Sequence, residues 1–174
     1  MTNAVASPVW AELLGQPEAI AQLEIAIRGK AEGVYHAWLI TGPPGSGRSN
    51  MAHAFAAALL CEKDGCGECK SCLMAAAGSH PDISTLATER VQISIDEVRE
   101  LVASSQFGAS LGKYRIMIIE DADRMQERSS NVLLKALEEP PAGTIWLLCA
   151  PSEADMLPTI RSRVRRVGLK VPAI

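Results

Sequence analysis

The sequence predicts an α/β fold in which helices cover both faces of a parallel β-sheet. Nearly all-apolar segments of strand length alternate with segments of helical pattern, and strands buried on both faces are typical of parallel sheets. A glycine-rich loop at 42–49 follows the first such strand and opens a helix, as a phosphate-binding loop requires. The length of 174 residues predicts one domain over 1–174.

Local patterns along the chain predict the individual elements. Helices are expected at 16–31, 47–60, 73–77, 95–102, 127–138 and within 157–164, and strands at 36–42, 83–86, 114–120, 144–150 and 165–171. Ser94, followed three residues later by Glu97, predicts a capping box at the start of the fourth helix. Pro140 ends the fifth helix, because the residue before a proline disfavours helical geometry.

The composition is that of an ordinary globular protein with a slight acidic excess. Apolar residues make up 48%, charged residues 21%, and the net charge is −3 at pH 7. This argues against a domain whose main task is to bind DNA through a strongly basic face, and it leaves open a few phosphate contacts or a role beside DNA. The N-terminal residues lack a signal-peptide pattern, and no uncharged stretch approaches the ~18 residues that a membrane span needs. We expect a soluble, cytoplasmic protein.

The glycine-rich loop reads Gly-Pro-Pro-Gly-Ser-Gly-Arg-Ser and departs from the phosphate-binding pattern at one position. In that pattern a lysine reaches the β- and γ-phosphates and the last hydroxyl holds Mg²⁺. Arginine keeps the charge but directs its donors differently. The candidate nucleotide-binding residues are Gly42, Gly45, Ser46, Gly47, Arg48 and Ser49. Two alternatives stay open: ATP with Mg²⁺ bound without hydrolysis, and a loop kept as a structural turn.

An acidic pair, Glu120 and Asp121, follows the strongest predicted strand. Nucleotide hydrolases usually carry Asp then Glu there, the first ordering Mg²⁺ and the second polarising the attacking water. Here the order is reversed, so that Asp121 is one methylene shorter for holding the water. A water displaced by ~1 Å can cost on the order of 100-fold in rate. We expect the chain's own ATPase to be absent or very weak.

Four of the five cysteines form a C-x₄-C-x₂-C-x₂-C cluster within an insert at 61–82. Clustered cysteines without a secretory signal favour a metal over disulfides, and four thiolates suit a structural zinc ion. The candidate ligands are Cys61, Cys66, Cys69 and Cys72. Free thiols, a redox pair or an iron–sulfur cluster are the alternatives. We expect His80 to pack in a His-Pro-Asp turn and Cys149 to act as a small buried hydrophobe.

Several motifs together resemble bacterial clamp-loader ATPase modules of the AAA+ class. They are Gly15-Gln16, the His-Ala-x-Leu-Ile-x-Gly segment at 36–42, the four-cysteine insert, Asn-x-Leu-Leu-Lys-x-Leu-Glu-Glu-Pro-Pro at 131–141 and Leu-Pro-x-Ile-x-Ser-Arg at 157–163. The similarity runs from about residue 10 to residue 170. It implies an AAA+ P-loop fold with a zinc insert, and it implies that the family's lid and collar domains lie outside this chain.

Three features resemble the delta-prime type of subunit in DNA polymerase III rather than the gamma/tau motor type. They are Arg48, the reversed acids at 120–121 and the His-Pro-Asp turn at 80–82. The resemblance implies a stator that joins gamma/tau and delta subunits in a pentamer and helps load the sliding clamp on primed DNA. The alternatives are an ATP-hydrolysing gamma/tau motor and a standalone nucleotide switch or zinc module.

The resemblance also implies roles for two further residues. Arg163 stands in the family's Ser-Arg-Cys motif, here Ser-Arg-Val, and becomes the candidate finger that reaches a neighbour's γ-phosphate. Ser152 stands where the family places a polar sensor of that phosphate. The nearby Arg165 and Arg166 are expected to form a solvated basic face.

Overall fold

The computed structural model describes residues 7–13 and 15–171, so that part of the predicted 1–174 domain lies outside the described residues. The helices are α1 (Pro17–Arg28), α2 (Arg48–Leu60), α3 (Lys70–Ala77), α4 (Ile95–Ser105), α5 (Glu127–Glu138) and α6 (Pro158–Arg161). The strands are β1 (Ala37–Thr41), β2 (Ile83–Leu86), β3 (Arg115–Ile119), β4 (Thr144–Ala150) and β5 (Arg165–Gly168). Short 3₁₀ helices span Pro8–Trp10, Ala122–Arg124 and Glu153–Asp155. Each predicted element is present, although α3 begins three residues earlier than expected.

The five strands form one parallel sheet in the order β2-β3-β4-β1-β5. Ala37 of β1 lies opposite Trp146 of β4, and Trp38 lies opposite Arg165 of β5. The predicted parallel α/β architecture is therefore confirmed. Because all strands point the same way, their carboxyl ends meet at one edge of the sheet, called here the carboxyl edge, and their first residues meet at the opposite, amino edge.

The apolar strands bury side chains on both faces of the sheet. Trp38 and Ile40 pack with α1 and α2, whereas Ala37 and Leu39 pack with α4 and α5. The alternation follows from the two-residue period of a strand. Phe55 of α2 meets Trp38 edge-on, with 5.4 Å between ring centroids. Because helices cover both faces of the sheet, the strands are nearly continuous runs of apolar residues.

The predicted capping box of α4 is confirmed. Ser94 Oγ accepts a hydrogen bond from the Glu97 amide (3.1 Å), and Glu97 Oε1 accepts one from the Ser94 amide (3.1 Å). Each bond satisfies an amide that lacks a partner within the helix. Within the described residues, no helix combines the length and the apolar character that crossing a bilayer requires.

Candidate functional site

The phosphate loop lies at the carboxyl edge, directly after β1. The Gly42 amide donates to the Ala150 carbonyl (3.3 Å), which ties the loop to the end of β4. A Cβ at Gly42 would lie 2.5 Å from Ser46 Oγ, so only glycine fits there. Gly45 and Gly47 adopt φ values of 85° and 86°, a left-handed conformation that favours glycine. The loop's glycines are thus required by its backbone path.

The loop and the acidic pair line one cavity of about 300 Å³. Its lining residues are Pro43, Gly45, Ser46, Gly47, Arg48, Ser49, Asn50, Glu120 and Asp121. The N-terminus of α2 begins here, and the unpaired amides of a helix N-terminus favour anions. Ser46 Oγ is buried and has no hydrogen-bond partner within the described residues. These groups provide donors that suit a phosphate.

Arg48 lines the cavity and contacts oxygens of its own chain. Its Nη1 donates to the carbonyl oxygen of Gly42, and its Nη2 lies 3.9 Å from Asp121 Oδ1. The side chain is 16% exposed. The guanidinium therefore contacts both the loop and the acidic pair, with Nη1 hydrogen-bonded to the loop and Nη2 in a longer ion pair with Asp121.

Glu120 is engaged from α2. Ser49 Oγ donates to Glu120 Oε1 (2.6 Å), and His53 Nε2 lies 3.1 Å from the same oxygen. Ser49 and His53 are four residues apart and share one face of the helix. Sequence reasoning missed His53, although its spacing from Ser49 could have indicated it. The oxygen best placed to bind Mg²⁺ near Ser49 already has two partners.

Asp121 lies between two arginines. Arg124 Nη1 is 3.9 Å from Asp121 Oδ2 and donates to the carbonyls of Thr88 (3.1 Å) and Arg90 (3.2 Å). With Arg48 on its other oxygen, the carboxylate has a cation on each side. Each carboxylate oxygen of Asp121 therefore faces an arginine of this chain.

Gln16 connects the phosphate loop to the segment that follows β5 through side-chain hydrogen bonds. It is 3% exposed. Its side-chain amide donates to the carbonyls of Ser46 (3.2 Å) and Lys170 (2.5 Å), and its Oε1 accepts from the Lys170 amide (3.0 Å). The role of this glutamine in the Gly15-Gln16 motif is therefore to hold the phosphate loop against the segment that follows β5.

Ser152 lies at the carboxyl edge but does not line the cavity. Its Oγ donates to Asp155 Oδ2 (3.1 Å), in the 3₁₀ helix that follows β4. The structure thus brings the loop residues and the acidic pair together and places the Ser152 hydroxyl in a separate contact.

Arg163 lies at the amino edge, two residues before β5. Its Nη1 donates to the Thr159 carbonyl (2.8 Å), and its Nη2 lies 2.8 Å from Glu138 Oε1 at the end of α5. The side chain is 36% exposed. β1 and β5 pair in parallel over four residues, about 13 Å at 3.3 Å per residue. The length of the sheet therefore separates Arg163 from its own phosphate loop.

The four clustered cysteines converge into a knuckle between α2 and α3. Their sulfur atoms all lie within 4.8 Å of one another, and Cys61 Sγ lies 3.7 Å from Cys66 Sγ and 3.8 Å from Cys69 Sγ. Four thiolates bound tetrahedrally to zinc at ~2.3 Å would have sulfurs ~3.8 Å apart. The four cysteines could therefore hold a metal ion together, with Cys72 of α3 as the fourth ligand.

Backbone amides favour the thiolate form at two of the four clustered cysteines, whereas burial raises the pKa of Cys72. Burial alone would raise the pKa of Cys61, but the amides of Cys66, Gly65 and Lys63 lower it to about 6. Amides of Glu68 and Cys69 also lower the pKa of Cys66. Thiolates are the form that binds metal. By contrast, burial raises the pKa of Cys149 to about 12.

The knuckle is joined to the N-terminal segment and to α1. A Cβ at Gly65 would lie 2.6 Å from Val9 Cγ2, which requires glycine at this contact. Lys30 Nζ lies 2.8 Å from Asp64 Oδ1 and donates to the carbonyls of Ala58 (3.1 Å) and Cys61. The insert therefore packs against the rest of the domain.

The His-Pro-Asp turn links the knuckle to the sheet. His80 is buried; its Nδ1 accepts from the Asp82 amide (3.0 Å), and its Nε2 lies 3.1 Å from Ser71 Oγ. Burial lowers the pKa of His80, and Asp82 opposes that shift. The expectation that His80 packs in the turn is confirmed. Asp82 is fully buried and accepts from the amides of Ser110, Leu111 and Gly112.

Comparison with known proteins decides the family. The family model "DNA polymerase III, delta subunit" matches residues 15–173. The chain belongs to this family. A delta-prime subunit of DNA polymerase III from Pseudomonas aeruginosa is 40% identical over 143 residues, covering 79% of this chain and 44% of the relative. The Escherichia coli K12 delta-prime subunit is 37% identical, covering 79% and 43%. The predicted resemblance is confirmed.

Other members of the wider group are more distant. A gamma/tau subunit from Mycobacterium tuberculosis H37Rv is 31% identical, covering 93% of this chain and 28% of the relative. The crystal structure of a gamma subunit-related protein from Thermotoga maritima matches with a TM-score of 0.70 and 28% identity, covering 87% and 46%. The RuvB branch-migration motor of the same organism has a TM-score of 0.62 at 18% identity, which shows the fold alone.

Together these matches confirm the AAA+ fold of this delta-family chain. The chain spans less than half the length of the curated relatives that it matches. What those whole proteins assemble with or act on is therefore a matter of proposal for this chain, as are the roles predicted for Arg163, Ser152, the acidic pair and the loop.

Proposed function

We propose that this chain is the AAA+ module of a clamp-loader stator of the delta-prime type. In this proposal it assembles with gamma/tau and delta subunits into a pentamer and helps place the sliding clamp on primed DNA. Its chemical contribution is Arg163, presented to the ATP bound by a neighbouring motor subunit. The observation that carries the proposal is that Arg163 lies, part-exposed, at the opposite edge of the sheet from its own loop.

Arg163 has the chemistry for this role. Within the described residues, Nη1 donates two hydrogen bonds and Nη2 pairs with Glu138, whereas no hydrogen bond engages Nε. Nε and the second hydrogen of Nη2 can therefore donate to phosphate oxygens. A planar guanidinium binds phosphate through two parallel bonds and neutralises the charge that develops on the transferred group. A finger supplied in this way raises turnover by about 10³–10⁵-fold in related phosphoryl-transfer systems.

The chain's own loop supports a structural role. The groups that would hold the phosphates of ATP are the loop amides and the hydroxyls of Ser46 and Ser49. Bound ATP would supply the phosphate bond to be hydrolysed, and Mg²⁺ would supply positive charge. Arg48 and Glu120 fit less well, because Nη1 of the arginine and Oε1 of the glutamate are already paired within the chain. We expect little or no hydrolysis here. In the knuckle, Cys61, Cys66, Cys69 and Cys72 would hold zinc with a purely structural role.

The test replaces Arg163 in the protein assembled with its motor and delta subunits. Arg163→Ala should lower DNA-stimulated ATP hydrolysis at the site it serves by about 10³-fold or more, while gel filtration shows an unchanged assembly. Arg166→Ala is the matched control, because Arg166 is an exposed arginine that pairs with Glu153 of its own chain. Unchanged turnover in Arg163→Ala with intact assembly would overturn the proposal.

The alternative is an ATP-hydrolysing motor of the gamma/tau type. It is favoured by the formed loop and cavity and by the 31% identity to a gamma/tau subunit. Titration with ATP and Mg²⁺, followed by phosphate release from the same sample, separates the two. Binding with turnover supports the motor. Binding without turnover supports a structural nucleotide site, and absence of binding supports a loop kept for its backbone path.

A further inference from the structure

Arg163 is held at three points rather than standing free on the surface. Nη1 donates to the Thr159 carbonyl (2.8 Å) and to Ser162 Oγ (3.1 Å), and Nη2 lies 2.8 Å from Glu138 Oε1. The first two partners lie within four residues of Arg163 on the same turn. Glu138 is the one partner that comes from another element of the fold, so its carboxylate fixes the direction of the guanidinium relative to the sheet.

The position of Glu138 is itself fixed. It is the last residue of α5, and Pro140 stops the helix from continuing. The carbonyl of the preceding residue, Leu137, accepts a hydrogen bond from Nε2 of His36 (2.8 Å), the residue immediately before β1. α5 also packs Leu133 and Leu137 into the core. The carboxylate is therefore mounted on a rigid element, which is what a positioning group needs.

The backbone of Arg163 is held from the same side. Tyr35 Oη donates to the Arg163 carbonyl (2.7 Å). The guanidinium of Arg165 lies over the Tyr35 ring, 4.7 Å from its centroid. These contacts fix the start of the Arg163 side chain, while Glu138 fixes its end.

We propose that Glu138 is the positioning residue for Arg163: its carboxylate holds the guanidinium in the orientation that meets a phosphate on the neighbouring subunit. This inference rests on the proposed function. An unrestrained arginine loses rotamer freedom when it binds, and a group that is already oriented loses less. The ion pair is part-exposed on both sides, 36% for Arg163 and 42% for Glu138. Solvent weakens the attraction at that exposure, so that the guanidinium can bind a phosphate while Glu138 stays beside it.

The test uses the assembled complex and the variant Glu138→Gln, which keeps the shape of the side chain and removes its charge. The matched control is Glu139→Gln, an exposed neighbour outside the Arg163 ion pair. We expect Glu138→Gln to lower kcat for ATP by about two- to fivefold, the range open to an ion pair of this exposure, with KM unchanged. Binding of ADP–aluminium fluoride, which mimics the transferred phosphate, should weaken by a similar factor, whereas binding of ATPγS should not. Glu139→Gln should behave as the parent in each assay.

A double variant separates this inference from the proposed function. Glu138→Gln combined with Arg163→Ala should hydrolyse ATP no more slowly than Arg163→Ala alone, because Glu138 acts through Arg163. Additive losses would overturn the inference, as would parental values or a rise in turnover for Glu138→Gln alone. If Arg163→Ala itself leaves turnover unchanged, the proposed function fails, and the role assigned here to Glu138 fails with it.

Discussion

The cysteine knuckle and the phosphate loop are both glycine-rich turns next to α2, yet they differ in how their reactive groups are arranged. In the knuckle, backbone amides point at sulfur atoms and four thiols face one centre. In the loop, Arg48 and Glu120 pair with groups of the same chain. The first arrangement is suited to an added ion, whereas the second has already satisfied its own charges.

The difference shows that a turn can keep its backbone conformation without keeping the side chains that its sequence pattern requires. Both turns retain the glycines that their conformations require, and both fold as their patterns predict. Only the knuckle also retains every ligating residue type. The loop keeps the glycines of its backbone path between β1 and α2, whereas position 48 and the acids at 120–121 depart from the pattern of nucleotide hydrolases.

Loss of the metal is expected to give the largest effect. Cys66→Ser removes one ligand from a part-exposed position, so it changes packing little. We expect zinc content to fall and the free energy of unfolding to drop by several kcal/mol, since binding energy at a structural site contributes directly to folding. The control variant is Cys149→Ala, and its zinc content should equal that of the parent protein. Elemental analysis with denaturant unfolding measures both, and equal zinc in the two variants would contradict the predicted site.

Asp82→Asn is expected to cost about 2–3 kcal/mol, because a buried carboxylate loses charge-assisted bonds from three amides. Burial alone would raise the pKa of Asp82, but those amides hold it below its usual range. A depressed pKa stabilises the fold above the unfolded value of about 3.9, and that contribution is lost as pH falls through the folded value.

Unfolding measured between about pH 2 and pH 7 checks this prediction. The Asp82→Asn protein should show a flatter loss of stability below about pH 4 than the parent does. Glu100→Gln, at an exposed position of α4, is the control. Identical acid profiles for Asp82→Asn and the parent would show that Asp82 does not anchor the 110–112 segment.

On the loop side, Gln16→Ala is expected to destabilise the protein by about 1–2 kcal/mol, because it leaves buried groups of Ser46 and Lys170 without partners. Hydrogen exchange should quicken selectively in residues 42–49. Gln22→Ala, which removes an exposed bond to the Arg166 carbonyl, should cost less than about 0.5 kcal/mol. Equal rates of hydrogen exchange at residues 42–49 in the two variants would show that Gln16 does not stabilise the loop.

The smallest expected effect is that of Arg48→Lys. This change restores the lysine of the phosphate-binding pattern, yet we expect no fast ATPase, because the acids at 120–121 remain reversed. Adding Glu120→Asp and Asp121→Glu should raise phosphate release above that of the single variant. Rapid turnover from Arg48→Lys alone would show that the order of the acids does not limit hydrolysis.

The elements were predictable because apolar runs, caps and prolines act locally. The α4 capping box and the strands follow directly from such patterns. α3 began earlier than predicted because Cys69 caps it through sulfur, accepting from the Cys72 amide, a contact that helix patterns do not encode. The partners of the site residues were less predictable. Glu138 meets Arg163, and Gln16 meets Lys170, only after the sheet has brought distant segments together.

The position of β1 within the sheet also affects how the chain emerges during synthesis. Both strands that flank β1 come from residues 144–168, at the far end of the chain. At a ribosomal rate of 5–20 residues per second, roughly 5–20 s pass between the synthesis of β1 and that of β4, the first of its neighbouring strands. For that interval its Trp-Leu-Ile segment has no strand to pair with. The nascent chain therefore carries an unpaired, aggregation-prone edge that only the last part of this domain can cover.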